Sequence, residues 1–226
     1  MSKKYSKNST APREPGLLGQ KFRPITETQY HLQQSINDNI ITFVHGPAGT
    51  GKTFVGTNMA CEWLYNRQIS RIVLTRPAVT AGENFGFLPG ELKDKYAVYL
   101  EASEQIFISR FGVSHYQNLL GNGRIVAKPL AFMRSTTLED CVVLVDESQN
   151  VTKVQMELIL TRIGENCKVI VSGDIRQTDI RVGSGLEDAI WRLKGLEGVG
   201  VIEFTRDDVV RSGIVKEIVR RYEYNG

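Results

Sequence analysis

The sequence has 226 residues, of which 41% are apolar and 23% charged, so it can form one ordinary domain with a single sizeable core. A net charge of +3 is too small to indicate a nucleic-acid-binding protein by itself. No apolar run approaches the roughly 18 residues of a membrane helix, and the basic start lacks the apolar segment of a signal peptide, so we expect no membrane partner and a cytoplasmic location.

The first 20 residues differ in composition from the rest of the chain. They are rich in Ser, Asn, Pro, Gly and Lys, and Lys3, Lys4, Lys7 and Arg13 have no acidic residue among them. Such a segment cannot bury enough apolar surface to offset its ordering entropy. The composition therefore predicts a flexible basic tail at residues 1–20 and a folded domain at 21–226.

Three cysteines, Cys61, Cys141 and Cys167, stand far apart in the sequence. Their odd number and the lack of CxxC spacing are typical of neither a disulfide framework nor a zinc site. Because each cysteine lies in an apolar run, we expect buried thiols in a protein of a reducing compartment.

Short apolar runs alternate with segments of helical spacing along the chain. In chain order, the pattern predicts a helix from Thr26, a strand at 40–45, a helix at 53–65, a strand at 71–75, a helix at 91–111, strands at 124–127 and 142–146, a helix at 154–163, a strand at 168–172, a helix at 186–193, a strand at 199–204 and a helix at 213–222. Such alternation is typical of a parallel sheet, and near-continuous apolar strands indicate helices on both faces. The sequence therefore predicts an α/β fold of three layers with a mainly parallel sheet.

Polar and glycine residues follow several of these strands directly. Gly46, Arg76, Asp146 and Asp174 each stand at or next to the carboxyl end of a different predicted strand. Ligands of open α/β sheets bind outside the carboxyl ends of the strands. We therefore expect these residues to surround one site.

The segment after the first strand has the pattern GxxxxGK[ST]. The predicted binding loop comprises Gly46, Pro47, Ala48, Gly49, Thr50, Gly51, Lys52 and Thr53. Its glycines let backbone N–H groups approach phosphates, and the helix that follows adds partial positive charge. Lys52 is expected to bridge the β- and γ-phosphates, and the Thr53 hydroxyl to ligate Mg²⁺. The loop predicts a site for ATP with Mg²⁺; the alternative is a glycine-rich turn that binds nothing.

Two further segments supply groups that a hydrolase needs. Asp146 ends an apolar strand, where a Walker-B aspartate holds the metal, and Glu147 is placed to orient and deprotonate the attacking water. Gln177 follows the next strand, and its amide is suited to sensing the γ-phosphate or positioning water. A surface turn and a β-turn remain the respective alternatives for these two segments.

Taken together, these motifs resemble the PhoH-like ATPases, which are single RecA-like domains related to superfamily 1 helicases. The resemblance lies in segments 47–53, 146–150, 173–177, 76–79, 81–83, 86–90, 184–186 and 208–211, and it extends over about residues 26–222. The P-loop is generic, whereas segment 76–90 is specific to the family. The resemblance implies a RecA-like P-loop ATPase domain at residues 21–226.

The resemblance also implies roles for residues that spacing alone does not single out. Gln29 matches the upstream glutamine that contacts adenine in helicase-like ATPases, and Gln177 matches the γ-phosphate sensor. Arg206 or Arg211 would act as an arginine finger on a neighbouring subunit's nucleotide, and Arg211 is preferred because it lies inside the matching segment. Such a finger implies a homo-oligomer, expected to be a hexameric ring with shared ATP sites.

The sequence departs from the family pattern at two places. Ser212 stands where the family usually has His, and Ser135 and Thr136 stand within a segment that commonly reads Arg-Gly-Arg-Thr. One family arginine is therefore missing. Any role of that arginine at a subunit interface or on nucleic acid is in doubt, whereas the hydrolytic residues are unaffected.

Three functions are compatible with these motifs. The first is an oligomeric ATPase acting on single-stranded nucleic acid, with RNA preferred over DNA, in which Phe85 and Phe87 would stack on bases or else be buried in a core loop. The second is a small-molecule kinase, which Glu147 disfavours because it promotes attack by water. The third is a nucleotide-gated binding or assembly protein with little turnover.

Overall fold

Six parallel strands form one sheet in the spatial order β3-β2-β4-β5-β1-β6. The strands are β1 Ile41–His45, β2 Arg71–Thr75, β3 Ile125–Ala127, β4 Cys141–Val145, β5 Cys167–Gly173 and β6 Val199–Glu203. Every pairing within this sheet is parallel. The structure, a computed structural model, describes residues 19–77, 92–134, 137–180 and 183–210, together with residues 213, 214 and 221. The predicted α/β class with a parallel sheet is confirmed.

Six α-helices connect or flank the strands within the described residues. They are α1 Glu27–Asp38, α2 Lys52–Tyr65, α3 Leu92–Phe111, α4 Val113–Gly121, α5 Lys153–Leu160 and α6 Gly185–Leu193. Short 3₁₀ turns cover Leu130–Met133, Ser148–Asn150, Ile175–Gln177 and Arg206–Asp208. No described helix combines the length and the apolar character that crossing a membrane requires. The tail predicted at 1–20 and the helix predicted at 213–222 lie mostly outside the described residues.

The sheet is covered by helices on both faces, as the unbroken apolar strands predicted. Successive residues of β1 show the arrangement, because Val44 packs in the core beneath α1 to α4 while Phe43 packs in the core beneath α5 and α6. Side chains alternate between the faces of a strand, so a strand buried on both sides is apolar at most of its positions. All five residues of β4 are accordingly buried.

The three cysteines are buried free thiols, as expected. Cys141 and Cys167 are register partners on adjacent strands, with their Sγ atoms 3.7 Å apart. They lie at the amino ends of β4 and β5, at the sheet edge opposite the carboxyl ends.

Helix α1 is fixed at both ends. At its start, the Thr26 side chain accepts a hydrogen bond from the backbone N–H of Gln29, a common N-cap arrangement. At its end, Lys168 Nζ donates to the carbonyl oxygens of Ile36, Asn37 and Asn39 at 2.9, 2.8 and 2.6 Å. A cation at the C-terminus of a helix satisfies carbonyls that have no intrahelical partner and complements the helix dipole. The fixed helix brings Gln29 against the loop between β1 and α2.

Candidate active site

The loop predicted to bind phosphate lies between β1 and α2 at the carboxyl edge of the sheet. Gly46 has φ 138°, and its N–H donates to the carbonyl of Gly173 at the end of β5 at 3.2 Å. Gly51 precedes α2 with φ 92°, and the Thr50 hydroxyl donates to the Pro47 carbonyl at 3.1 Å. These positive φ values favour glycine. The chain therefore curls into a compact loop at the N-terminus of α2, which is the geometry that an anion site requires.

Lys52 is the first residue of α2, and its ammonium group lies within this loop. Nζ donates to the carbonyls of Gly46 at 2.6 Å and Pro47 at 2.7 Å. Burial lowers the pKa of Lys52, and the carboxylates of Asp174, Asp146 and Glu147 oppose that shift. The loop thus holds a partly buried cation beside three acidic side chains, in the position from which it can neutralise phosphate oxygens.

Thr53 and Asp146, the two predicted magnesium ligands, are in contact although 93 positions separate them. The Thr53 hydroxyl donates to the two carboxylate oxygens of Asp146 at 3.1 and 3.2 Å. Ser172 Oγ donates to Asp146 Oδ1 at 2.8 Å and so orients the carboxylate from β5. A hydroxyl and a carboxylate are the hard oxygen donors that suit Mg²⁺.

Thr53 and Asp146 suit a magnesium site better than a site in which protein side chains supply all the metal ligands. Among the residues that the structure describes, no group of three or more His, Cys, Asp or Glu side chains can hold a metal ion. Magnesium usually takes one or two protein oxygens and completes its octahedron with waters and substrate phosphates. Thr53 and Asp146 would hold the ion in that manner.

Glu147, the predicted base, follows β4 and stands exposed at the edge of the site. Its backbone is in the left-handed region, with φ 51° and ψ 35°, which is uncommon for a residue other than glycine. Its Oε2 accepts a hydrogen bond from Gln149 Nε2 at 2.6 Å. The 3₁₀ turn Ser148–Asn150 that follows is buried, and Ser148 Oγ donates to the Ser172 carbonyl at 2.7 Å. The turn thus anchors the exposed carboxylate on β5.

Gln177, the predicted γ-phosphate sensor, lies in the short turn that follows β5. Asp174 opens this turn, because its Oδ1 accepts from the Arg176 N–H at 3.1 Å and its carbonyl accepts from the Gln177 N–H at 2.9 Å. Gln177 itself is exposed at the same sheet edge as Glu147. Since β4 and β5 are neighbours, the two predicted hydrolytic residues follow adjacent strands.

Gln29 is buried against the loop rather than exposed to solvent. Its Nε2 donates to the Thr50 carbonyl at 3.0 Å, and its Oε1 accepts from the Ile25 N–H at 3.1 Å. A Cβ atom on Gly51 would lie 2.6 Å from Nε2, so the loop and the amide fit closely. In this geometry both ends of the amide bind backbone groups. The contact of Gln29 with adenine stays a prediction.

The segment 208–210, which follows β6, packs against the loop. The sequence alone did not predict this contact. The Val210 N–H donates to the Gly49 carbonyl at 2.9 Å, and the Thr28 hydroxyl donates to Asp208 Oδ1 at 2.5 Å. Burial would raise the pKa of Asp208, but hydrogen bonds from Thr28 and Thr205 outweigh it and lower the pKa. The segment joins α1 to the loop. Its only sequence signal was the match of 208–211 to the family pattern.

Several predicted residues lie beyond what the structure describes. Arg211 is outside the described residues, whereas Arg206 is described and exposed. Of segment 76–90 only Arg76 and Pro77 are described, and the departures at Ser135, Thr136 and Ser212 are outside as well. The described residues therefore bring together the loop, Asp146, Glu147 and Gln177, and they leave the choice between Arg206 and Arg211 open.

Curated proteins from several bacteria are similar in sequence to this chain. Curated relatives include a PhoH-like protein of Bacillus subtilis, 42% identical over 207 residues, Protein PhoH of Escherichia coli, 40% identical over 200 residues, and a PhoH-like protein of Mycobacterium tuberculosis, 42% identical over 206 residues. These alignments cover 91, 87 and 90% of this chain. The chain spans 65, 56 and 58% of the length of the three relatives.

Among solved structures, a Pif1 helicase from Candida albicans aligns over 83% of this chain and 41% of its own, with 14% identity and a TM-score of 0.41. That likeness is too low to support an inference about function. A sequence model described as "PhoH-like protein" matches residues 21–223, nearly the whole chain. The chain is therefore a member of the PhoH-like protein family.

Proposed function

We propose that this chain binds ATP with Mg²⁺ and hydrolyses it, as an oligomeric ATPase that acts on single-stranded nucleic acid. The observation that carries the proposal is the hydrogen bond from Thr53 Oγ1 to Asp146 Oδ1, 3.1 Å long. It lies beside the Lys52 ammonium group. A nucleotide-binding loop alone is compatible with many reactions. In this site the Asp146 carboxylate is hydrogen-bonded to the Thr53 hydroxyl of the loop, and Glu147 follows Asp146 in the chain. This combination favours hydrolysis.

Each residue has a defined part in the proposed reaction. Lys52 would leave the Gly46 and Pro47 carbonyls and bind oxygens of the β- and γ-phosphates. Thr53 and Asp146 would hold Mg²⁺, which when bound neutralises charge on the phosphates. Glu147 would orient a water molecule opposite the leaving oxygen and accept its proton, while the Gln177 amide would contact the γ-phosphate.

The exposure of Glu147 and Gln177 supports a site shared between subunits. Electrostatic stabilisation of a phosphoryl transition state is stronger where water is excluded. Both residues are exposed in the single chain, so a neighbouring subunit would cover them and supply Arg206 or Arg211 to the transition state. A hexameric ring is the assembly that the family resemblance favours. The proposal that this assembly acts on single-stranded nucleic acid, with RNA as the first candidate, is supported by the helicase-like order of the motifs.

Phosphate release by the purified protein tests the proposal. The assay is run with and without Mg²⁺ and with RNA, single-stranded DNA or neither, and sedimentation with ATP measures the assembly. We expect Lys52→Ala to abolish ATP binding, and Glu147→Gln to keep binding while turnover falls about 100- to 10,000-fold. Glu157→Gln, the same change at an exposed position on α5, is the matched control and should behave as wild type.

Three outcomes would contradict the proposal. Unimpaired turnover in Glu147→Gln would remove that residue from the reaction. Phosphate transfer to an added acceptor without net release would indicate a kinase. ATP binding without release under all conditions would indicate a nucleotide-gated binding protein.

A further inference from the structure

Gln149 is a buried side chain that no step of the proposed reaction uses directly. It lies in the 3₁₀ turn after Glu147 and is 3% exposed. Its Nε2 donates to Glu147 Oε2 at 2.6 Å, and its Oε1 accepts from the Asp174 N–H at 3.1 Å. One amide therefore joins the exposed carboxylate after β4 to the first residue of the turn after β5.

The amide has little freedom to move. A Cβ atom on Gly173 would lie 2.7 Å from Gln149 Oε1 and 2.9 Å from its backbone nitrogen, so the end of β5 packs directly on this residue. Thr178 Oγ1 also donates to the Gln149 carbonyl at 3.1 Å. A side chain packed this closely and bonded at both ends keeps one rotamer. The direction in which its N–H points is fixed accordingly.

A fixed donor matters because Glu147 has few other restraints. The Glu147 side chain is exposed, and within the described residues its carboxylate has a hydrogen bond only to Gln149 Nε2. A free glutamate samples several rotamers, whereas a base that orients water must be held close to its productive position. The Gln149 amide occupies one carboxylate oxygen and leaves the other for a water molecule.

From this geometry we infer that Gln149 is a positioning residue, which holds the Glu147 carboxylate for hydrolysis and connects it to the turn that carries Gln177. This inference rests on the proposed ATPase function. It assigns Gln149 no contact with ATP. The residue acts through Glu147, so its loss affects turnover and leaves nucleotide affinity in place.

Gln149→Glu removes the hydrogen-bond donor of the amide and keeps its acceptor. The substitution keeps the shape and the oxygen that accepts from Asp174, and it replaces the donor to Glu147 by an oxygen. We expect the kcat of phosphate release to fall about 10- to 100-fold, because a hydrogen bond to a charged group is lost and two carboxylates face each other. The KM and the dissociation constant for ATP should change by less than about twofold, since Lys52, Thr53 and Asp146 are unchanged.

The matched control is Gln155→Glu. Gln155 lies in the first turn of α5, where its Oε1 accepts from the N–H and hydroxyl of Thr152, contacts that a glutamate preserves. It adds the same charge by the same isosteric change without touching Glu147, and it should leave kcat at the wild-type value. Gln149→Met, which keeps the volume without adding charge, should also lower kcat and guards against a folding defect of Gln149→Glu.

A double-mutant cycle shows whether Gln149 acts through Glu147. If it does, Gln149→Glu lowers the residual turnover of Glu147→Gln by less than about twofold, so the two effects are far from additive. Full additivity, wild-type kcat in both Gln149 variants, or a loss confined to ATP affinity would each overturn the inference while leaving the ATPase proposal intact. Absence of phosphate release by the wild-type protein would overturn both.

Discussion

Replacing Gly46 by alanine tests whether the first glycine of the loop is required by the fold before any nucleotide binds. Its φ of 138° is a conformation that residues with a Cβ rarely adopt. The added Cβ would lie 2.2 Å from the Phe204 carbonyl oxygen and 2.8 Å from Phe204 Cβ. The nearest atom belongs to the backbone, so no rotamer change relieves the overlap, and the loop must move away from the end of β6.

The cost of Gly46→Ala follows from the contacts that such a movement loosens. Two backbone hydrogen bonds lie beside the overlap, from Phe204 N–H to the His45 carbonyl at 2.8 Å and from Gly46 N–H to the Gly173 carbonyl at 3.2 Å. Each contributes about 0.5–1.5 kcal/mol to stability. The unfavourable φ adds about 1–3 kcal/mol. We expect the free energy of unfolding to fall by about 2–6 kcal/mol.

Gly195→Ala is the matched control for this measurement. Gly195 has φ 89°, but a Cβ there would meet no heavy atom within 4 Å, so only the backbone conformation is penalised, by about 1–2 kcal/mol. Urea denaturation without nucleotide, followed by far-ultraviolet circular dichroism, gives both values. If Gly46→Ala destabilises no more than Gly195→Ala, the steric argument is wrong and the glycine serves phosphate binding alone.

Two further predictions concern stability. Lys168→Met removes three hydrogen bonds to the C-terminal carbonyls of α1 and should lower the free energy of unfolding by about 2–3 kcal/mol. The control Lys194→Met, at an exposed position, should change it little. Equal decreases in the melting temperature of the two variants would contradict the role of Lys168 as a cap. Burial lowers the pKa of His45 in the folded chain. At pH values below the unfolded pKa of about 6.5, the unfolded chain therefore binds a proton that the folded chain does not. The free energy of unfolding should fall as the pH decreases from about 6.5 to the lowered pKa of the folded state. His45→Gln should flatten that slope in denaturation series at different pH, and an unchanged slope in this variant would contradict the role of His45.

Local pattern and composition were enough to predict the sheet and the loop. Each strand is an apolar run that no helical period explains, and burial on both faces of the sheet is what makes such runs unbroken, as in β4. The loop was predictable because glycines at positive φ, followed by Lys52 and Thr53 at a helix start, form a local motif. Its approach to Asp146 followed from the general rule that ligand sites lie at the carboxyl ends of parallel strands.

Contacts between distant segments could not be predicted in the same way. Gln149 stands two positions after Glu147, but nothing in the spacing indicates that its amide returns to that carboxylate while accepting from Asp174. Gln29 was assigned to adenine by resemblance, whereas its burial against Thr50 depends on how α1 packs. Helix α4 was missed because it follows α3 after a single residue, Gly112, with φ 72°. The buried residues of α4, Tyr116 and Leu119, pack in the same core cluster as Phe107 and Phe111 of α3.

The hydrogen bonds within the loop indicate what nucleotide binding has to change. Lys52 and Thr53 are already bonded to protein oxygens, the first to the Gly46 and Pro47 carbonyls and the second to Asp146. Phosphate and Mg²⁺ would therefore exchange existing bonds for stronger charged ones, and the net gain in free energy is smaller than the new contacts alone suggest. The contacts of Gln149 and Ser148 involve neither Lys52 nor the proposed Mg²⁺ ligands Thr53 and Asp146. They would persist through the exchange, so under the proposed function the side of the site that holds Glu147 would be organised before the nucleotide binds, whereas the phosphate-binding loop would rearrange.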